Sequence, residues 1–354
     1  MNKPIKTRRL SHLHSGFSLI EIMVGLVVSL LVSLVIMQVF SVYEGQKRTT
    51  SGSADAQTNG SIALYNLQRD VQLAGFALPI FSSSNSPLQC TTFTPSGTDI
   101  SPVSITDGGT AAGASDTLTV RYGTADAGGS PAIISTVNSG NEVLVLNNAS
   151  CMVNDSVIIS QGTDCLFMQN GVTSLTGTTE ITLNKPTGAP INPDASLSCL
   201  GAWRAVSYSI NRDSQLSRSE NGIDSPNVDE IVNLQAQYGI ADPPDSAGEN
   251  NNTIVRWVNA TGETWSNPNI ANRKLIKAVR VAIVARNGLL EKETVSYPCS
   301  TAHPGLCVWT GTSESPAPTI DLSNRSDWQQ YRYRVFTTII PLRNVVWAKD
   351  ALAI

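Results

Sequence analysis

Groups that carry chemistry are scarce in this chain. Of its three histidines, His12 and His14 precede residue 16, which leaves His303 as the one histidine beyond it. No nucleophile elbow G-x-S-x-G, no P-loop, no H-E-x-x-H and no G-x-G-x-x-G occurs, so hydrolase and nucleotide-binding chemistry have no sequence footing. No C-x-x-C and no Cys/His cluster occurs either, which argues against a structural zinc site. Charged residues make up only 15% of the chain, and the formal net charge is −4. Lys3, Lys6, Arg8 and Arg9 account for all charge in the first sixteen residues, so the remainder sits near −8. A basic face for nucleic acid is therefore not expected. Proline is missing from Phe17 to Leu78, which predicts a first helix without a proline kink. No internal repeat is visible.

What is present is concentrated at the start. After the basic residues 1–16 comes Phe17–Phe40, a run of twenty-four residues with a single charge, Glu21. As a helix it spans about 36 Å, enough for a hydrocarbon core of about 30 Å. The basic flank predicts a cytoplasmic N-terminus and an exported body. A secretory signal would be shorter and followed by an A-x-A-like site; the following SVYEGQKR offers none. A plain signal anchor leaves Glu21 unexplained, because a carboxylate inside an apolar span costs on the order of 2.5–3.5 kcal/mol. Gly25, Ser29 and Ser33 recur every fourth residue and would let another helix approach closely. The helix is expected to continue over 41–78, with Gly45, Gly52 and Gly60 as weak points. Leu64, Leu67, Val71 and Ala74 recur at 3,4,3 spacing, as for a face laid on a globular body. Asp70, within this stretch, reads as a solvated helical charge.

From residue 79 to 354 the chain alternates Gly/Pro/Ser/Asn stretches with short β-like runs. Expected strands are Thr117–Tyr122, Ala132–Val137, Glu142–Leu146, Ser156–Ser160, Glu180–Leu183, Arg204–Ile210, Val228–Ile240, Lys274–Arg286 and Tyr331–Ile340. Tyr331, Tyr333 and Val335 alternate with Arg332 and Arg334, which should form an exposed strand face. One helix followed by many strands gives an α+β fold, with a long N-terminal helix on a mainly antiparallel sheet. The six cysteines, all beyond residue 89, suit disulfides in an exported protein. Fifteen pairings are possible, and Cys299 with Cys307 is the simplest because the intervening Pro-Gly can turn the chain back.

The string Gly16-Phe17-Ser18-Leu19-Ile20-Glu21 resembles the cleavage and methylation motif of the type IV prepilin family. The resemblance implies that a prepilin peptidase cuts after Gly16, that Phe17 becomes the N-methylated N-terminus, and that Glu21 is the carboxylate used in assembly. Such a carboxylate could neutralise the new amine where water is scarce. Four further passages are similar to PilW-type minor pilins: Leu67–Phe76 (L-Q-R-D-V-Q-L-A-G-F); Val206–Ile210 with Leu216-Ser-Arg218; Asn233–Gly239 with Val279–Arg286; and Tyr333–Asn344. The stretch 80–200 is divergent, and its status as an inserted domain is left open. The implied role is a structural, non-enzymatic minor pilin in the inner membrane that primes or caps a filament. Its implied partners are prepilin peptidase, other minor pilins, the major pilin and the inner-membrane assembly platform. Alternatives are the related J-type minor pseudopilin of type II secretion and an adhesive tip subunit. In PilW relatives the loop after the Q-x-Q-Y-G strand resembles a calcium site. Here that loop holds Asp242, Asp245 and Glu249 as candidate ligands, but two prolines intervene, so no cofactor is the expectation.

Overall fold

The computed structural model describes residues 16–78, 90–138, 141–148, 151–243 and 253–346. It divides into two compact units, Met1–Gly52 and Ser53–Ile354. The first element is the helix α1, Leu19–Gln72, 54 residues long and uninterrupted at Gly45, Gly52 or Gly60. With no proline in it, every interior N–H can complete its bond to the preceding turn.

In the first unit, Leu19 to Tyr43 exposes its apolar side chains, with Leu30 at 63% and Phe40 at 66%. By length and composition this part of the helix can cross a membrane. In the second unit, α1 presents Ala56, Ala63, Leu67 and Val71 to the main core, joined by Ala74 just after the helix, all nearly or fully buried. Leu64, assigned to that stripe from the sequence, is only partly buried at its margin. Gly60 completes the face: a Cβ there would overlap the Phe336 ring.

Two sheets supply the other side of this core. One has four strands in the order Arg256–Val258, Ile231–Ile240, Ile276–Arg286, Tyr333–Pro341, all antiparallel. The second has five, in the order Ile223–Asp229, Gln215–Glu220, Arg204–Ile210, Thr117–Tyr122, Val103–Thr106. Leu118, Val120, Val206 and Tyr208 from the second join Leu234, Tyr238, Val281 and Ile283 from the first around the helix. Each fully buried Leu, Ile or Val contributes roughly 1.5–3 kcal/mol. The opposite face of the four-stranded sheet is covered by Leu306, Ile320 and Leu322 against Val284. That explains why Ile276–Arg286 is buried along its whole length. On this covered face Arg280 lies between the rings of Trp257 and Trp309, 4.8 and 4.2 Å from their centroids. Its Nε donates to Gln237 Oε1 at 2.6 Å, and burial lowers its pKa to about 10.

The divergent stretch has an architecture of its own. Thr117–Tyr122 and Arg204–Ile210 are adjacent antiparallel strands, Val120 opposite Val206. The chain between them forms seven strands of an eight-stranded sheet, which Thr92–Thr94 joins in parallel beside Asp164–Met168. Ile134, Val143, Val157, Val172, Ile181 and Leu197 make a second hydrophobic core inside it. The insertion therefore opens what would otherwise be a hairpin, and it buries its own apolar faces.

Two expected strands need correction. Val228–Ile240 is broken at Glu230, whose φ is 58°, and its halves enter different sheets as Ile223–Asp229 and Ile231–Ile240. The start of Lys274–Arg286 is helical: Ile270–Leu275 is capped by the Asn269 side chain, which accepts from Asn272 N at 3.0 Å. Only at Ile276 does the chain become a strand.

Candidate functional site

The N-terminal residues of the motif lie outside regular structure. Gly16 and Phe17 precede the helix and are exposed, Phe17 at 79%. A Cβ on Gly16 would meet nothing within 4 Å. Ser18 O opens the helical pattern by accepting from Glu21 N at 3.0 Å and Ile22 N at 3.2 Å. Glu21 thus sits in the first turn, where free N–H groups and the helix dipole favour a carboxylate. Its side chain is exposed and forms no ion pair among the described residues. Glu21 lies four positions after Phe17, so a charge created at Phe17 would fall beside the start of the helix.

Gly25, Ser29 and Ser33 lie on one side of the same helix. A side chain on Gly25 would meet nothing, while Ser29 Oγ donates to Leu26 O and Ser33 Oγ to Ser29 O, each at 2.8 Å. Both hydroxyls are therefore satisfied within the helix. The strip is small without presenting bare donors to an apolar neighbour.

In the second unit, three separate passages, Leu67–Phe76, Val206–Ile210 and Leu216–Arg218, meet at one place. Asp70 is 1% exposed, not solvated as the sequence suggested. Its Oδ2 accepts from Tyr208 Oη at 2.8 Å and from Arg218 Nε at 2.8 Å, two residues that face each other across neighbouring strands. Arg218 continues to Glu220 at 2.7 Å, and Glu220 also pairs with Arg204. Burial, then the charge of Asp70, raises the Tyr208 pKa well above the phenol range. Burial opposes the Arg218 charge, but the bond and charge of Asp70 outweigh it and the net shift is upward. One turn on, the helix end is held by Asn344, whose Nδ2 donates to Gln72 O at 3.3 Å and Ala74 O at 3.1 Å. Gly75 then turns at φ 75° and gives its N–H to Arg121 O at 2.9 Å. Sequence reading could not pair Asp70 with Tyr208 and Arg218, which lie 138 and 148 residues away.

The remaining sequence candidates are scattered. Cys299 and Cys307 form a disulfide, as do Cys90 with Cys165 and Cys151 with Cys199. His303, between the first two, is exposed and stacks on Tyr297 with centroids 4.2 Å apart. Asp242 is exposed; Asp245 and Glu249 lie outside the described residues, so the calcium loop has no geometry to weigh. Among the described residues no group of three acidic, histidine or cysteine side chains could hold a metal. Of the two arginines assigned to an exposed strand face, Arg334 is exposed, whereas Arg332 precedes the strand and pairs with Glu291 at 2.9 Å.

A family model described as "PilW: Type IV Pilus-assembly protein W" matches residues 209–344. No curated protein and no solved structure matches the chain. The matched segment holds the four-stranded sheet together with Arg218, Glu220 and Asn344, which fasten the helix. It supports a PilW-type pilus protein with a part in type IV pilus assembly.

Proposed function

We propose that this PilW-type pilus protein is a minor pilin, a structural subunit and not an enzyme, that helps to prime a type IV pilus. In this reading prepilin peptidase cuts after Gly16 and Phe17 becomes the N-methylated N-terminus. The helix from Phe17 to Phe40 holds the chain in the inner membrane with its body in the periplasm, until it joins the major and minor pilins at the assembly platform. The observation that carries the reading is Glu21: an exposed carboxylate in the first turn of an apolar helix, without a counter-charge among the described residues.

An ionised carboxylate in a low-dielectric setting is costly until it is paired. The amine released on Phe17 by cleavage supplies a cation of the right sign four positions away or, on a neighbouring subunit, across a helix contact. Before a partner docks, Glu21 is incompletely paired, and that penalty favours docking. The free surface at Gly25 and the internally bonded Ser29 and Ser33 suit the close helix contact this requires.

The test is Glu21→Ala. The variant should still lose its leader, because the peptidase acts at Gly16, yet it should fail to enter filaments and pilus recovery should fall. Normal pilus recovery with Glu21→Ala would remove the assembly role. An uncleaved Glu21→Ala chain would instead place that residue in processing.

A further inference from the structure

The strand Tyr333–Pro341 lies at the end of the four-stranded sheet and pairs on one side only, with Ile276–Arg286. Hydrogen bonds to its neighbours fix which of its backbone groups are in use. Asn287 N donates to Arg332 O, and Leu342 N donates to Lys277 O. In an antiparallel ladder the N–H and C=O of one residue point the same way and alternate along the strand. Even-numbered residues from 332 to 342 therefore bond inward. Tyr333, Val335, Thr337 and Ile339 direct their N–H and C=O outward, where no strand lies among the described residues. Pro341 occupies the next outward position, where a missing N–H costs no ladder bond, so it closes the free row at that end.

Just before the strand, another segment of the chain already bonds to its backbone. Gln329 O accepts from Val295 N and Ser296 N, at 2.8 and 3.0 Å, and Tyr331 O accepts from Ser296 Oγ at 2.6 Å. Here Tyr331 O, and Gln329 O in the 3-10 turn Trp328–Gln330 before it, are taken by another segment of the protein itself. That segment then departs into the loop closed by Cys299 and Cys307. Where it leaves, a cleft of about 610 Å³ opens along residues 332–336. Helix residues Ser53 and Gln57 lie on its rim with His303 and Leu306 of the disulfide loop. Asn287 also lines it, 1% exposed. Its Oδ1 accepts from Leu289 N at 2.8 Å, and its Nδ2 has no partner among the described residues.

The charge of this cleft opposes that of the chain as a whole. Arg334 lines it, together with Arg332, whose charge is met by Glu291, and no carboxylate lines the cleft, in a protein of net charge −4. Arg334 is exposed and has no ion pair among the described residues. We propose that the outer edge of Tyr333–Pro341 binds an extended acidic segment of a partner protein, which adds to the sheet as a fifth strand. The outward N–H and C=O groups supply the ladder, and Arg334 selects acidic side chains. This proposal is independent of processing at Gly16.

The full chain in detergent would be titrated into a fluorescein-labelled octapeptide of alternating Glu and Val, with the Lys/Val peptide as its counterpart, by fluorescence polarisation. Saturable binding of the acidic peptide is expected, at least about tenfold tighter than the basic one. Arg334→Glu should reverse that preference. Methylating alternate backbone nitrogens of the peptide should abolish binding in one of the two registers, since one set of N–H groups faces the edge. Hydrogen exchange on wild-type protein should slow at Tyr333, Val335 and Thr337 when peptide is added, with Arg334 and Phe336 little changed. Thr337→Pro removes an outward donor without breaking the inner ladder and should weaken binding; if that variant does not fold, the methylated peptides decide the same point. Failure of the acidic peptide to bind, binding indifferent to Arg334→Glu, or protection elsewhere would overturn the proposal. Outward amides already protected without peptide, in proportion to protein concentration, would also overturn it in favour of a second copy of the chain.

Discussion

The apolar side chains at the two ends of α1 are alike and have opposite surroundings. Leu30, Leu31 and Leu34 are 63%, 56% and 53% exposed, whereas Leu67 and Val71 are 0% exposed. In the second region two sheets of the same chain remove the apolar face from water and an ion cluster fixes its position. In the first region nothing in the described chain does so. An apolar helical run states that burial is needed; only the partners decide whether the chain provides it. Here the body supplies one partner, and in the proposed function the membrane or a filament neighbour supplies the other.

That contrast can be broken most severely at Asp70. Asp70→Ala leaves Tyr208 and Arg218 facing a buried vacancy, and breaking such a pair costs about 3–5 kcal/mol. Chemical denaturation of the detergent-solubilised chain should register this loss, while insertion of the apolar segment into membranes stays unchanged. The inserted sheet should respond nearly as strongly to Cys151→Ser with Cys199→Ser. Those cysteines are 48 residues apart, against 8 for Cys299 and Cys307. Chain-entropy reasoning gives about 4 kcal/mol for the first bridge and about 2.5 for the second. Equal losses from the two double variants would contradict that ordering, and no loss from Cys151→Ser with Cys199→Ser would show that the insertion does not depend on its own bridge.

A pH experiment sharpens the same contrast. Asp116 is 3% exposed, and its carboxylate accepts from Gly108 N at 2.9 Å and Ala236 N at 2.8 Å. Burial, the largest cause, raises its pKa from 3.8 to about 6 against the lowering effect of those two bonds. The folded state therefore holds this proton more tightly than the unfolded chain. Its stabilising contribution is complete below pH 3.8 and fades as the pH rises to about 6, by up to about 3 kcal/mol. The difference in stability between wild type and Asp116→Asn should change across that window and be flat above it. Gly60→Ala should cost about 1–3 kcal/mol, because the added methyl meets Phe336. Gly25→Leu, on the other end of the helix, should leave body stability within about 0.5 kcal/mol and reduce filament incorporation.

The same contrast governs how much the sequence revealed. The apolar helix from Leu19 to Phe40 was legible because its signal is local: a run of apolar residues with no proline. Arg204–Ile210 and Thr117–Tyr122 were legible as strands for the same reason, yet nothing local says that they are neighbours with a second core inserted between them. Ser196–Gly201 was missed because its Ser, Cys and Gly content hides a strand that lies between two others. Asp70 read as solvated because a helix pattern records spacing and not the strand laid over it. Its burial depends on Tyr208 and Arg218, brought opposite one another by the pairing of Arg204–Ile210 with Gln215–Glu220. The free edge at Tyr333–Pro341 likewise emerges only from strand order and hydrogen-bond parity.

The central claim is that Gly16 marks a processing site and that Glu21 faces the amine made there. Mass spectrometry of the N-terminal peptide of the protein recovered from membranes tests it directly. The account predicts a chain that begins at Phe17 and carries one methyl group on its amine. A retained leader, or an unmethylated start at another residue, would contradict it.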